Sequence, residues 1–425
     1  MTTRRDVLRA LGSVGAGILA MPALGRAQAA AHVVVVGGGF GGASAARNLR
    51  RLNSELRITL IEPQPRFVTC PFSNLYLGGL RDWDSIAHGY DGLRALGVDV
   101  IHAHAEDVDA DARTVALSDG TRLGWDRLVL SPGIDFRWGD LPGYDETSTA
   151  RAPHAWKAGP QTKLLRRQLE AMADGGVFAI TIPQGAFRCP PGPYERASMA
   201  AHYLKTHKPR AKILILDSQD RFSKQALFQQ GWRALYGDMI ERIGQTDDGL
   251  VVEVDAERRE AVTAFGSRHK ADVLNVIPPQ KAGLIAERAG VTDDTGWVPV
   301  HADRFESTRA PGIYVVGDAT IAAPMPKSGF CANAQARVVA AAITAELGGQ
   351  EPPPASFVNT CYSLIGPDYG ISVAGVYRAE DDKVVEIEGS GGVSPLDAGP
   401  DFRRAEADYG AGWYASICAD IWGMA

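Results

Sequence analysis

The residues with the clearest chemistry in this 425-residue sequence are its five cysteines, Cys70, Cys189, Cys331, Cys361 and Cys418. Cys189 stands in the stretch FRCPPGPYE, directly after an apolar run typical of a β-strand, and Glu195 follows near a predicted helix start. A thiol near a helix N-terminus has a lowered pKa and favours the thiolate. Because the number of cysteines is odd, at least one is free or bonded to something other than sulfur. The pattern predicts thiol chemistry at this strand-to-helix turn.

A glycine-rich turn near the start of the chain predicts a dinucleotide site. The predicted strand at 33–36 runs into GGGFGG, where Gly37, Gly39 and Gly42 fill the G-x-G-x-x-G template. These glycines allow a tight turn, close approach of a pyrophosphate to the backbone, and close packing of helix on strand. Glu62 ends the next predicted strand, where its carboxylate would accept hydrogen bonds from a ribose.

Two later segments favour FAD over NAD as the nucleotide. WDRLVLSPG at 125–133 and APGIYVVGDAT at 310–320 resemble the remaining FAD motifs of two-dinucleotide oxidoreductases. In the second motif, Gly317 and Asp318 are candidate flavin contacts, and Asp318 would hydrogen-bond the ribityl chain. A helix predicted to begin near Ser328 would direct its N-terminus at the flavin and stabilise negative charge there.

The FAD motifs are separated by a second strand–helix–strand region. The sequence therefore predicts an α/β fold with two Rossmann-like dinucleotide-binding-type domains, of the disulfide-reductase-like flavoprotein class, and a C-terminal α+β segment. The predicted boundaries are a signal peptide at 1–29, a split FAD-binding domain at 30–145 and 284–350, a second nucleotide-binding-type domain at 146–283 and a C-terminal domain at 351–425. In the second domain, three prolines replace the glycine pocket and remove N–H donors that a pyrophosphate would use. We therefore expect no NAD(P)H there.

The other cysteines have more than one interpretation from the residues alone. Cys70 follows the second strand, where the chain can reach the dimethylbenzene end of a flavin, although a buried structural cysteine is the commoner case. Cys361 and Cys189 both belong to segments expected to border the flavin. Cys331 is interpreted as a small buried residue, although a disulfide between Cys331 and Cys189 is left open. Cys418 is interpreted as structural.

Six fragments together resemble the flavoprotein subunit of flavocytochrome c sulfide dehydrogenase. They are TCPFSNLYLGG, RCPPGPYERASM, DRFSKQALF, VIPPQKAG, VGDATIAAPMPKSGFCANAQA and NTCYSLIGPDYGISVAGVY, spread over essentially the whole chain after residue 29. By this resemblance, Cys70 matches a cysteine that carries FAD covalently. Cys189 and Cys361 match a redox-active disulfide, and Glu195 matches the carboxylate beside it.

The same resemblance implies sulfide as the substrate and a c-type cytochrome subunit as the electron acceptor, in a heterodimer. The expected activity is that of a sulfide:cytochrome c oxidoreductase of the flavocytochrome c type. No C-x-x-C-H haem-attachment sequence occurs in the chain, so haem c is expected only on the partner subunit.

The first 29 residues resemble a twin-arginine export signal. Arg4 and Arg5 precede a moderately apolar stretch at 11–24, and AQA at 27–29 supplies the small residues of a cleavage site. We expect export to the periplasm, where disulfides persist. The net charge is −6, and loss of these residues leaves about −9. This acidity argues against nucleic acid and anionic membrane as partners, and it allows a basic protein partner. We also expect no insertion into a membrane.

Three other functions stay open on the sequence. A sulfide:quinone oxidoreductase would need a basic amphipathic helix to reach membrane quinone, yet no Lys or Arg follows Arg404. An NAD(P)H-dependent flavin disulfide reductase would need the missing nucleotide pocket, and a non-catalytic flavin electron-relay subunit would need no cysteine pair. Near its C-terminus the chain has an apolar stripe at helical spacing, typical of packing on its own protein, that comprises Trp413, Tyr414, Ile417, Ile421 and Trp422.

Overall fold

Five short apolar strands form a parallel sheet beside the glycine-rich turn. In the computed structural model, which describes residues 30–424, the sequence-predicted signal at 1–29 lies outside the described residues. The strands of this first sheet are, in spatial order, Ile313–Val315, Arg127–Leu130, His32–Val36, Arg57–Ile61 and Asp99–Ile101. The first four are almost fully buried, as runs such as VVVV at 33–36 require of a sheet covered on both faces, whereas the edge strand Asp99–Ile101 is partly exposed. The sheet therefore combines both parts of the region predicted to bind FAD.

A second parallel sheet has the same strand–helix–strand arrangement with four strands. In spatial order they are Ile240–Ile243, Lys212–Asp217, Val177–Ile182 and Val273–Val276. All four fall within the predicted 146–283 region, and the predicted α/β fold of the disulfide-reductase-like class is confirmed. The loop at 183–191, which carries Cys189, connects the central strand Val177–Ile182 to the following helix.

The C-terminal segment is an antiparallel sheet followed by a long helix. Strands Ser356–Gly366 and Tyr369–Glu380 form a hairpin, with Lys383–Glu386 and Gly392–Val393 both paired to the second strand. Cys361 lies in the middle of the first hairpin strand, opposite Val373. This α+β arrangement agrees with the class predicted for the segment.

Nine α-helices connect and cover these sheets within residues 30–424. They are α1 Phe40–Leu52, α2 Ser73–Leu77, α3 Asp91–Ala95, α4 Pro160–Ala171, α5 Gly192–His207, α6 Gln225–Tyr236, α7 Leu284–Arg288, α8 Gly329–Leu347 and α9 Pro400–Trp422. Smaller β elements are Phe67–Val68 with Ala87–His88, Ala105–Asp109 with Thr114–Leu117 and Arg122–Gly124, Ile134–Phe136 with Gln280–Ala282, Val251–Asp255 with Glu260–Thr263 and Arg268–Lys270, and Val298–Pro299 with Thr320–Ile321.

The C-terminal helix α9 packs its apolar stripe onto the first domain. Tyr414, Ile417, Ile421 and Trp422 are buried. The Trp422 indole donates a hydrogen bond of 3.2 Å to the Gly38 carbonyl, so the helix end covers the glycine-rich turn. Among residues 30–424, no helix is both long and apolar enough to cross a membrane.

The glycine-rich turn needs glycine where helix α1 meets the strand before it. A Cβ at Gly42 would lie 1.9 Å from the Gly37 carbonyl oxygen, a backbone atom that cannot yield as a flexible side chain would. Gly37 itself has φ +100°, a conformation that favours glycine. Steric constraints alone therefore disfavour any residue other than glycine at positions 37 and 42.

We predict that Gly42→Ala lowers the free energy of unfolding by roughly 1–3 kcal/mol, the usual cost of overpacking. Denaturant titration followed by far-UV circular dichroism measures it. The matched control is Gly412→Ala in α9, where the glycine is exposed and no atom lies within 4 Å of the added Cβ. That variant should gain up to about 1 kcal/mol from helix propensity. Equal effects of the two substitutions would contradict the packing argument.

Candidate functional site

A cavity of about 790 Å³ opens beside the glycine-rich turn, and its size is typical of cofactor sites. Six of the seven residues predicted to bind the cofactor line it: Gly37, Gly39, Glu62, Cys70, Gly317 and Asp318. The seventh, Gly42, packs against the Gly37 carbonyl instead, which is the helix–strand role of the third glycine in the template. The cavity thus gathers residues from both FAD motifs.

The start of helix α1 offers free backbone N–H groups to this cavity. Its N-cap, Gly39, has no side chain to accept from them, and no acidic residue stands in the first turn. A pyrophosphate would satisfy these donors and the helix dipole. The Glu62 carboxylate accepts from the Gly38 N–H at 2.8 Å and from the Gln64 N–H at 3.0 Å, which fixes it at the end of its strand.

Asp318 provides a second sign of a polar ligand. Its Oδ1 atom is buried and has no hydrogen-bond partner among the described residues, while Oδ2 lies 3.6 Å from the Arg188 guanidinium. Burial raises the pKa of this carboxyl, and the nearby Arg188 and Lys327 oppose the shift. A buried polar oxygen without a partner is rare in folded proteins. A ribityl hydroxyl would supply the missing donor, so the cavity fits FAD.

The helix predicted to begin near Ser328 is confirmed. Helix α8 starts at Gly329, and its N-cap Ser328 accepts a hydrogen bond from the Cys331 N–H. Ser328 and Gly329 both line the large cavity, so this second helix N-terminus also faces the space for the cofactor.

A smaller cavity of about 90 Å³ holds the predicted catalytic residues. Its volume is several times what one water molecule needs. Cys189, Cys361 and Glu195 line it, and so does Cys70. The residues that line both cavities are Cys70, Pro71, Arg188, Ser328 and Gly329. The two cavities therefore adjoin, with Cys70 at their junction.

The environment of Cys189 corrects one expectation from the sequence. We expected the start of helix α5 to lower the pKa of this thiol, but burial raises it, and the Cys361 and Glu195 charges add to the rise. Lys224 and Arg188 oppose the shift only in part. Desolvation of a thiolate therefore outweighs the helix-end effect here.

The backbone around Cys189 is also unusual. Its φ is +55°, in the left-handed region that side chains other than Asn and Asp rarely adopt, and its N–H donates to the Lys327 carbonyl at 2.9 Å. A Cβ at Gly192 would lie 3.1 Å from the Cys189 sulfur, so this glycine leaves the sulfur its space. Strained residues of this kind cluster at functional sites.

Glu195 is held by partners outside its own helix. Its Oε2 accepts from the Asn74 side-chain amide at 2.9 Å and its Oε1 from the Leu364 N–H at 3.0 Å. Both oxygens are therefore engaged, and neither caps helix α5. Burial raises the pKa of the carboxyl, while these two hydrogen bonds and the nearby Lys224 and Arg196 lower it.

Several residues of this site carried no assigned role in the sequence. Lys224 precedes helix α6 and places its ammonium 3.8 Å from the Cys361 sulfur. The buried Arg196 guanidinium hydrogen-bonds Asn74 and the Ala155 carbonyl, and burial lowers its pKa to about 10. The only sequence signals were the fragments DRFSKQALF and RCPPGPYERASM, which contain these two residues.

The remaining cysteines lie apart from the small cavity. Cys331 is buried in the first turn of α8 and does not line that cavity, and Cys418 is buried in α9. The structure describes all five cysteines as thiols, so the Cys189–Cys361 disulfide stays a prediction. Of the two partners considered for Cys189, only Cys361 shares its cavity.

In the second domain, the acidic residue at the position that would bind a dinucleotide ribose is bonded to other side chains of the protein. Asp217 ends the second strand of that sheet and is fully buried. Its carboxylate accepts from the Tyr194 hydroxyl at 2.7 Å and the Arg242 guanidinium at 2.7 Å. The Tyr194 ring stacks on Phe222 with centroids 3.5 Å apart. Asp217 is therefore occupied by the protein's own side chains.

Comparison with known families covers most of the described chain. Residues 162–278 match the central part of the sulfide dehydrogenase [flavocytochrome c] flavoprotein chain, and residues 353–422 match the flavin-binding part of flavocytochrome c sulphide dehydrogenase. Residues 31–169 match the pyridine nucleotide-disulphide oxidoreductase family.

Individual relatives agree with these matches. A stretch of 43 residues, 10% of this chain, is 67% identical to 90% of the sulfide dehydrogenase [flavocytochrome c] flavoprotein chain of Chlorobaculum thiosulfatiphilum. The sulfide-quinone reductase of Aquifex aeolicus is 35% identical over 187 residues, which span 43% of this chain and 42% of that protein.

A solved structure shows the same fold. It is that of the sulfide:quinone oxidoreductase from Aquifex aeolicus, with a TM-score of 0.68, 22% identity and coverage of 92% of each chain. The fold, the two family-specific regions and the identity to the Chlorobaculum chain agree. This chain belongs to the family of flavocytochrome c sulfide dehydrogenase flavoprotein chains.

Proposed function

We propose that this chain oxidises sulfide through a redox-active Cys189–Cys361 disulfide and FAD, and that it passes the electrons to a c-type cytochrome subunit. The observation that carries the proposal is that both cysteines and Glu195 line one small cavity, which adjoins a cavity that fits FAD. A sulfide-oxidising flavoprotein needs these two compartments in contact.

The proposed chemistry begins with hydrosulfide in the small cavity. It attacks one sulfur of the disulfide, the S–S bond breaks, and the products are a persulfide on one cysteine and a thiolate on the other. The Glu195 carboxylate accepts the hydrosulfide proton, because burial raises its pKa and so favours the protonated form. FAD would supply a two-electron acceptor, so that the persulfide and the thiolate could re-form the disulfide with release of oxidised sulfur, and it could pass the electrons on one at a time, as a haem acceptor requires.

A covalent link between FAD and Cys70 is part of the proposal. Cys70 lines both cavities, and its sulfur lies 3.5 Å from the Trp156 carbonyl as a hydrogen-bond donor. Together with the family membership, this position at the junction supports Cys70 as the attachment point.

The acceptor and the compartment are further parts of the proposal. A c-type cytochrome partner that carries the haem is supported by the family name, and export to the periplasm by the Arg4-Arg5 signal sequence. The second candidate, a sulfide:quinone oxidoreductase, is favoured by the 35% identity to the Aquifex aeolicus enzyme. Against it, the C-terminal helix α9 has no basic residue after Arg404, and its apolar stripe packs inward.

Two further alternatives fit the site poorly. An NAD(P)H-dependent reductase would use the nucleotide position at which Asp217 is bonded to Tyr194 and Arg242. A pure electron relay would give no reason for two cysteines and a carboxylate to share one cavity.

We predict that Cys189→Ser abolishes the bleaching of flavin absorbance by sulfide under anaerobic conditions. Loss of a nucleophilic partner should lower the bleaching rate by at least about a thousandfold. The matched control is Cys331→Ser, which removes a buried thiol outside the small cavity and should bleach as the unmodified protein does. Normal bleaching in Cys189→Ser would refute the disulfide chemistry, and loss of bleaching in Cys331→Ser would reopen the alternative pairing.

We predict that flavin remains with the protein after denaturation and precipitation, and that Cys70→Ala releases it into the supernatant. The visible spectrum of both fractions and the intact mass of the chain measure the link. Cys418→Ala, at a buried cysteine of helix α9, should retain the flavin. Complete release from the unmodified protein would exclude covalent attachment.

We predict that Glu195→Gln slows sulfide-dependent flavin reduction by roughly 10²–10⁴-fold, because an amide cannot accept the proton. The readout is the ratio of the two rates across pH, since the ionisation of sulfide itself affects both proteins equally. Burial raises the pKa of Glu195 above its ordinary value of 4.5. The ratio of the unmodified rate to the Glu195→Gln rate should therefore fall towards one as pH falls through that raised pKa. A pH-independent ratio near one would rule out proton transfer to Glu195.

A further inference from the structure

We propose that Lys224 sets the direction in which the disulfide opens, so that hydrosulfide bonds to the Cys189 sulfur and Cys361 leaves as the thiolate. This inference rests on the proposed function, and it assigns unequal roles to two sulfurs that the reaction alone treats as equivalent.

Lys224 is fixed against Cys361 by three contacts. Its Nζ lies 3.8 Å from the Cys361 sulfur, and it donates to the Cys361 carbonyl at 2.9 Å and to the Ser363 hydroxyl at 2.8 Å. The residue is only 8% exposed, and it takes φ +64° immediately before helix α6. The hydrogen-bond acceptors of this ammonium are neutral, so among the described residues its charge is not paired in a salt bridge, and Cys361 is the cysteine whose sulfur it contacts.

The surroundings of the two sulfurs differ in charge. Cys361 has the Lys224 ammonium in direct contact, and its own strand brings no carboxylate to the small cavity. Cys189 has the Glu195 carboxylate as a neighbour that disfavours a thiolate, and burial raises the pKa of this thiol further. Lys224 and Arg188 oppose that effect only in part, and the Arg188 guanidinium is shared with Asp318 and the Trp156 carbonyl. Arg196, the other buried cation on this wall, is bound to Asn74, Asn275 and backbone carbonyls.

The reaction balances with these assignments. Hydrosulfide forms a new S–S bond to Cys189, the Cys189–Cys361 bond breaks, and its electron pair goes to the Cys361 sulfur. The sulfide sulfur is oxidised to the persulfide level, and the disulfide accepts the two electrons. The better stabilised thiolate is the better leaving group in such exchanges, and the Lys224 ammonium, 3.8 Å from the Cys361 sulfur, stabilises a thiolate there.

Sulfite offers a direct test, because it opens a disulfide to one S-sulfonate and one thiolate. The purified full chain with its FAD is treated with sulfite, the released thiol is alkylated, and peptide mass mapping assigns both cysteines. We expect the S-sulfonate on Cys189 and the alkyl group on Cys361. The opposite distribution in the unmodified protein would overturn the inference while leaving the disulfide intact. Both cysteines already alkylated before sulfite is added would refute the proposed function together with it.

Variants then test whether Lys224 causes the preference. In Lys224→Met the ratio of Cys189 to Cys361 adducts should fall by roughly tenfold, because no buried ammonium then stabilises the departing Cys361 thiolate. Lys224→Arg should keep the preference because it keeps the charge, and Lys270→Met, at an exposed strand position, is the matched control. The ratio is measured within folded protein, verified by flavin content and circular dichroism. An unchanged ratio in Lys224→Met would assign the direction of attack to another group.

Discussion

The burial of opposite charges around two sulfurs is the constraint on which the site depends. Moving an ion from water into protein costs several kcal/mol even after relaxation, so each buried charge needs fixed partners. Lys224 has the Cys361 carbonyl and the Ser363 hydroxyl, while Glu195 has the Asn74 amide and the Leu364 N–H. These partners come from helix α2 of the first domain and from the C-terminal hairpin. The charges of the second domain are therefore stabilised only when both other segments are docked on it.

That constraint explains which parts of the site the sequence could predict. The glycine-rich turn, Glu62 and Asp318 belong to local patterns, whose spacing follows from the strand–turn–helix geometry, and all three lie at one cavity. The pairing of Cys189 with Cys361 came from family resemblance, because the 171 residues between them carry no distance information. Lys224 was signalled only by the family fragment that contains it, since its position depends on φ +64° and on a hairpin packed against it.

The pKa of Cys189 is the clearest case of a local rule overruled by tertiary structure. The nearby helix start would lower the pKa of an accessible thiol, but the loop at 183–191 is packed under the Lys327 carbonyl and the side chain is desolvated. Burial is a property of the whole fold, so a nine-residue motif cannot reveal it. The same holds for Glu195, whose place in the first turn of a helix suggested capping, yet its oxygens bind Asn74 and Leu364.

The loop at 183–191 also couples the two cavities. Arg188 lies one residue before Cys189, and its guanidinium reaches Asp318 on the cofactor side, while its N–H donates to Gln280 and its carbonyl accepts from the Trp156 indole. A flavin that satisfies the free Oδ1 of Asp318 would hold this carboxylate, and with it Arg188, in place. Any ligand that binds only the folded arrangement stabilises it. Cofactor binding would therefore also stabilise the placement of the Cys189 sulfur, because Arg188 contacts Asp318 on one side and precedes Cys189 in the same loop.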